Sequence, residues 1–499
     1  MKRKKVKKSK FTASFIVIII CLFISYAIIS GKGFINNITF LENLLFAKFY
    51  YLFFTILNIT LIVLLILAFS KYGKYKIGGT QAKPEYSNIA WYAMLFSAGM
   101  GIGIMFYAVS EPLAHNLENP LFNSSSPMVS ALATTYFSWG IHAWIIYVLI
   151  GLAFAFFAHN KGLPLSLRSL FYPVLKDKIY GKIGDIIDGC GAIITLFALA
   201  SSLALGSMQI NSGLNYLIGV NNSITLQILI IIVVIIIATI SIVSGLDKGV
   251  RILSELNLNL ATILGIILLI CGPTILIIKN LLTSSALYFS QLPLAAIQIN
   301  SVDLTWSKTW TIFYMAWWIS WSIFVGIFIA KISKGRTIRE FILSILFIPT
   351  ILVIIWFGIL GTDAIYTDQA GALSAVVSQD ISLSLFGMID LLIKVPLIKV
   401  ITQVLSLLII ILFFVTSSDS GSLVVGSLAG GGNKISNFQK IFWSLMQCIL
   451  AITIIIAGGI QGVDLIQSIL IIISLPLTIF LLYVLISLIL SIIRFKAKD

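Results

Sequence analysis

Trp317, Trp318 and Trp321 fall within five positions of one another, in the middle of an apolar run from Trp306 to Lys331. At ~1.5 Å per residue Trp318 lies roughly 18 Å inward from Trp306, near the centre of a ~30 Å hydrocarbon layer, whereas membrane tryptophans gather at the headgroups. π faces at that depth suit one kind of ligand. A permanently methylated ammonium has no N–H to donate and keeps its charge at any pH, and aromatic cages hold it by cation–π attraction. Packing against neighbouring helices is the alternative reading. Trp139, Trp144 and Tyr147 bear on the choice: at about 100° per residue they share an arc of roughly 140° on a second run, 128–158, so two aromatic clusters can meet at one depth.

A third run carries Ser97-Ala-Gly-Met100-Gly-Ile-Gly103, with glycine at every second position. Each glycine costs a helix ~1 kcal/mol against alanine, so the spacing predicts an unwound segment. Inside a membrane such backbone is tolerated where it lines a cavity, which marks a transporter's binding site. Close helix packing fits Gly99 and Gly103 formally, but not Gly101 on another side. Near the inner end of a later run stand Thr416, Ser417, Ser418, Asp419 and Ser420. Polar groups inside a span read as functional, and hydroxyls from one helix with freed carbonyls from a broken one make an oxygen cage for a small hard cation. Bonding of these hydroxyls back to their own helix is the other possibility.

These residues need helices to carry them across a bilayer. The chain of 499 residues is 59% hydrophobic and 10% charged, which excludes a soluble or a disordered protein. Twelve apolar runs are long enough to span: roughly 11–30, 50–70, 89–109, 128–158, 184–216, 224–246, 253–278, 305–331, 342–361, 399–425, 437–459 and 463–493. The net charge of +15 sits in every second loop. That pattern puts both termini in the cytoplasm and sets nucleic acid aside as a partner. Residues 281–297, interrupted by Pro293, read as a helix on the outer interface. Cys21, Cys190, Cys271 and Cys448 are too far apart in sequence for a metal spacing, and three histidines are too few for a zinc or haem centre. With no nucleophile and base at one depth, the chain does not read as an enzyme.

Gly99-Met-Gly-Ile-Gly103, Glu111-Pro112, Trp139 to Tyr147, Ala316-Trp-Trp-Ile-Ser-Trp-Ser322, Lys334-Gly-Arg-Thr-Ile-Arg-Glu340 and Val415-Thr-Ser-Ser-Asp-Ser-Gly421 together resemble the betaine/choline/carnitine transporter family, in order over residues ~85–425. The resemblance implies an all-α membrane fold of two inverted five-helix repeats after two extra helices. The boundaries would be a basic tail 1–10, peripheral helices 11–88, a first repeat 89–278, an interfacial helix 279–304, a second repeat 305–493 and a short tail 494–499, in a homotrimer. It further implies a quaternary-ammonium box of Trp139, Trp144, Tyr147 and Trp318, with Trp317, Trp321 and Phe313 nearby and Gly101 and Gly103 on the unwound segment. A sodium site would use the backbone of Ser97, Met100 and Phe413 and the hydroxyls of Thr416 and Ser417. Met315 and Ile323 stand where members often have Trp and Pro, and Leu199 stands where a second sodium site would want a threonine four after Thr195. The arginine that replaces sodium in the related carnitine exchangers has no counterpart here between Gly184 and Tyr216. Choline-type members carry an aspartate at the position of Gly103, so glycine there points to betaine.

The expectation is a multi-pass transporter of a bacterial cell membrane, importing glycine betaine with sodium and using no cofactor. Choline uptake with sodium or protons, or carnitine/betaine exchange, is the alternative. With only Arg494 to Asp499 after the last span and about ten residues before the first, uptake is expected to depend little on osmolality.

Overall fold

The computed structural model describes residues 10–244, 249–299, 302–433 and 435–495. The basic residues Lys2 to Lys8, Lys248 and Lys434, which helped set the expected topology, lie outside these. Apart from one antiparallel bridge between Lys76 and Thr337, the described chain is helical. In chain order the main helices are α1 (Lys10–Ser30), α2 (Lys32–Phe69), α3 (Asn88–Gly99), α4 (Gly103–Phe106), α5 (Ser110–Leu117), α6 (Pro127–Trp139), α7 (Ile141–Ala155), α8 (Lys182–Ile218), α9 (Ile224–Ser244), α10 (Gly249–Cys271), α11 (Thr274–Gln298), α12 (Phe313–Ile332), α13 (Ile338–Thr367), α14 (Pro396–Ala429), α15 (Asn437–Gly458) and α16 (Gly462–Ile493).

Eleven helices among the described residues are long and apolar enough to cross a membrane, in place of the twelve runs counted in the sequence. The third run is absent from that set because it is broken into α3, α4 and α5. The seventh, α10, stops at Cys271, where Gly272 and Pro273 interrupt it, and it too falls outside that set, whereas α11, which begins at once, is in it. In α11, which holds the segment expected on the interface, Pro293 is accommodated without a break. Helix α2 starts at Lys32, far before the expected residue 50, and its 38 residues follow a turn at Gly31, whose φ of 49° is open to glycine.

Burial sorts the helices into a shell and a centre. Only 22% of the apolar window of α1 and 33% of that in 224–243 are buried, against 100% for 127–160 and 94% for 304–332. The two aromatic runs are therefore the centre of the molecule. Helix α12 packs along α7, and α14 along α8, while α2 and α16 lie together.

On the side of the 331–340 loop, Arg336 ties the second half of the chain to the start of α3. Its guanidinium lies 4.5 Å from the Trp91 ring centroid, bonds Glu340 at 2.6 Å and the Tyr86 carbonyl at 2.7 Å, and also reaches Asn88. Trp91 Nε1 donates to Ser333 Oγ at 3.0 Å. Thr337 and Glu340 form a capping box that starts α13 here. This loop, one of the motifs of the family resemblance, anchors the broken helix.

Candidate functional site

The glycine run does break its helix. Met100 has extended backbone (φ −106°, ψ 122°), and regular bonding resumes with Met105 N and Phe106 N on Ile102 O at 3.0 Å. Among the described residues Ile104 N makes no backbone bond to Met100 O, so the ladder is interrupted on both sides of Gly101. Two bonds from other helices hold the loose segment: Gln209 Nε2 on α8 donates to Met105 O at 2.9 Å, and Trp356 Nε1 on α13 donates to Ile104 O at 3.0 Å.

Each glycine of the run faces a different indole. A Cβ on Gly103 would stand 2.7 Å from Trp317 Cη2 and 3.0 Å from Trp139 Cη2; one on Gly101 would stand 2.6 Å from Trp321 Cη2; and one on Gly99 would collide with Trp144. The run is thus needed twice over, for the break and for the close approach of four aromatic side chains.

The second aromatic run is also broken, which its periodicity did not reveal. Gly140 (φ −94°, ψ −130°) separates α6 from α7, and a Cβ there would meet the Tyr136 carbonyl and the Tyr288 hydroxyl. Helical arithmetic from Trp139 to Trp144 therefore does not carry across. The rings meet nonetheless. Trp139 lies 5.0 Å from Trp318 at 73° and 6.5 Å from Trp317; Tyr147 lies 6.2 Å from Trp318 at 83°, and Trp144 lies 5.4 Å from Tyr147. Trp317 and Trp318 are parallel at 5.9 Å, and Phe313 stands 5.4 Å from Trp317. Gly101, Gly103, Trp139, Trp317, Trp318 and Trp321 line one narrow common space.

Fixed acceptors hold two of the indoles. Trp318 Nε1 of α12 donates to Ser138 O at 2.9 Å, in the last turn of α6 before the break. Trp139 Nε1 donates to Glu111 Oε2 at 2.6 Å, and Glu111, fully buried on α5, has His115 Nε2 at 3.4 Å from its other oxygen. Trp317 Nε1, Trp321 Nε1, Trp144 Nε1 and Tyr147 Oη are buried with no protein partner among the described residues. Glu111 entered the sequence reading only as part of a motif; its signal was an ionisable residue in apolar surroundings. Tyr314, 5.3 Å from Trp139, and Phe357, 5.0 Å from it, were missed because aromatic residues in a span carry no mark of their own.

The residues expected around sodium lie on two elements. Ser97 and Met100 close the first half of the broken run, while Phe413, Thr416 and Ser417 lie in unbroken α14. Thr416 Oγ1 donates to Leu412 O at 2.8 Å, back into its own helix. The hydroxyl's lone pairs stay available to a cation. Ile102 of the unwound segment and Phe414 of α14 converge on Gly206 of α8, 3.3 and 3.5 Å from where its Cβ would be. The Met100 carbonyl, lacking its helical donor, and the Thr416 oxygen are hard ligands that fit sodium in kind. Thr195 bonds back to Gly191 O at 2.8 Å.

Comparison with known proteins supplies the family. A model described as betaine/carnitine/choline family transporter matches residues 11–496. The chain is 39% identical over 452 residues to a glycine betaine/proline/choline transporter of Vibrio parahaemolyticus, covering 87% of this chain and 80% of that one. It is 38% identical over 431 residues to the glycine betaine transporter OpuD of Bacillus subtilis, covering 85% and 83%. A sodium-coupled sialic acid symporter of known structure is 16% identical, with a TM-score of 0.46 over 86% of this chain and 84% of that one.

Proposed function

This chain belongs to the betaine/carnitine/choline family of membrane transporters, and we propose that it imports glycine betaine into a bacterial cell, driven by sodium through alternating access. The observation that carries the substrate is the space bounded by Trp139, Trp317, Trp318 and Trp321 over Gly101 and Gly103. Four indoles offer π faces to a trimethylammonium head, and every one is shielded from water, where cation–π attraction is strongest. The buried N–H groups of Trp317 and Trp321 are donors in want of an acceptor, which a carboxylate brings and a bare ammonium does not.

Sodium would take the carbonyls of Ser97, Met100 and Phe413 and the hydroxyls of Thr416 and Ser417. Its charge would favour the arrangement that keeps the broken run against α14, and so couple ion to substrate. In this reading the protein works as a homotrimer with both termini in the cytoplasm, on the strength of the family resemblance and the charge pattern.

Uptake of labelled betaine, choline and carnitine into proteoliposomes, with and without an inward sodium gradient, tests the whole. Saturable betaine uptake that needs sodium is expected. Uptake of choline in preference, or betaine flux indifferent to sodium, would refute the corresponding half.

A further inference from the structure

A buried carboxylate stands directly behind the cage. Glu111 is fully buried, and its Oε2 accepts the Trp139 indole N–H at 2.6 Å. The other face of Trp139 is fixed as well, its Cη2 end lying over Gly103. One indole therefore spans from the carboxylate to the unwound segment, with Trp318 5.0 Å from its ring.

Holding an indole in place does not require a charge. A glutamine would accept the same N–H without the cost of burying an ion. The nearest basic group, His115 Nε2, lies 3.4 Å from Oε1, and its ring sits among Trp306 at 5.5 Å and Trp310 at 5.1 Å, with Nδ1 unpartnered. The His115 imidazole and the Tyr314 hydroxyl are the polar groups that face Glu111 besides Trp139. An anion at the N–H end of an indole pushes electron density toward the ring, deepening the negative face that attracts a cation, and in a dry site its own field reaches the head group weakly screened.

We propose that Glu111 is a positioning residue that acts through Trp139: it orients the indole and makes the cage select a cationic head over a neutral one of the same shape. This rests on the betaine reading above and adds the source of its charge selectivity. A residue that only propped the indole would leave that selectivity alone.

The test compares glycine betaine with 3,3-dimethylbutyrate, in which carbon replaces the quaternary nitrogen, by uptake and by inhibition of uptake in proteoliposomes. The wild-type chain, Glu111→Gln, Glu111→Asp and Trp318→Ala are compared. In Glu111→Gln the half-saturating betaine concentration is expected to rise about fivefold or more, the size of one modest cation–π contribution, while the neutral isostere weakens less than about twofold. Glu111→Asp, which keeps the charge, is expected to restore most of the preference, and serves as the readout should the glutamine variant not fold. Equal weakening of both ligands, no change in either, or no recovery with aspartate overturns the inference. If Trp318→Ala abolishes betaine uptake while Glu111→Gln leaves the ratio untouched, the cage stands and this assignment falls. Wild type without saturable betaine uptake would remove the betaine reading itself.

Discussion

The β-carbon that Gly103 lacks would stand 2.7 Å from Cη2 of Trp317, closer than real β-carbons approach anything. The glycine is the floor on which this indole rests. Gly103→Ala is therefore expected to weaken betaine uptake several-fold simply by lifting Trp317 and Trp139. Gly103→Asp adds an anion in a low-dielectric pocket, which repels a carboxylate and welcomes an uncompensated cation. It should shift preference from betaine toward choline in a competition assay. An alanine variant as good as wild type would contradict the tight floor, and an aspartate variant with unchanged preference would contradict the substrate reading.

Trp318 touches both aromatic clusters and is held by Ser138 O. Trp318→Ala should abolish saturable uptake, while Trp318→Tyr keeps part of it, because cation–π attraction of ~1–2 kcal/mol survives in weaker form. Uptake kinetics of the two variants at matched protein density decide this. Saturable uptake in the alanine variant would exclude Trp318 from the cage.

Thr416 already spends its hydroxyl proton on Leu412 O, so what Thr416→Ala with Ser417→Ala removes is acceptor oxygens. The double variant is expected to raise the sodium concentration for half-maximal uptake by tenfold or more, with betaine affinity at saturating sodium little altered. Titrating sodium at fixed betaine measures it; an unchanged midpoint would assign coupling elsewhere.

Arg168 is completely buried between two carboxylates of α8, with Nε 2.5 Å from Asp188 and Nη2 2.8 Å from Asp185. Arg168→Met leaves Asp188 buried without its partner and should cost roughly 3–5 kcal/mol, seen as a large drop in the thermal midpoint of the purified protein. Lys399→Met breaks the partly exposed pair with Asp390, 2.8 Å apart, and should cost less than ~1 kcal/mol. Similar midpoints for the two would refute the assigned burial.

What the sequence determined by itself was whatever depends on neighbours in the chain. Apolar runs of ~20 residues specify membrane helices, and three glycines in alternate positions weaken one helix locally, so the break after Gly99 was legible before any packing was known. Tryptophans in the middle of an apolar run stood out for the same reason. Tertiary structure decided whatever depends on distance between elements. At the break at Gly140 the Ile141 N–H donates to the Tyr288 hydroxyl of α11 at 3.1 Å, and a single glycine in an apolar run does not announce such a contact. That Gly99, Gly101 and Gly103 between them admit four indoles, and that Glu111 sits behind Trp139, follow from how α3 to α7 and α12 pack. Periodicity gives the face a residue presents, but not which side chain arrives opposite it. The meeting of Trp139 with Trp318, 179 residues apart in the chain, is therefore a fact of the fold alone.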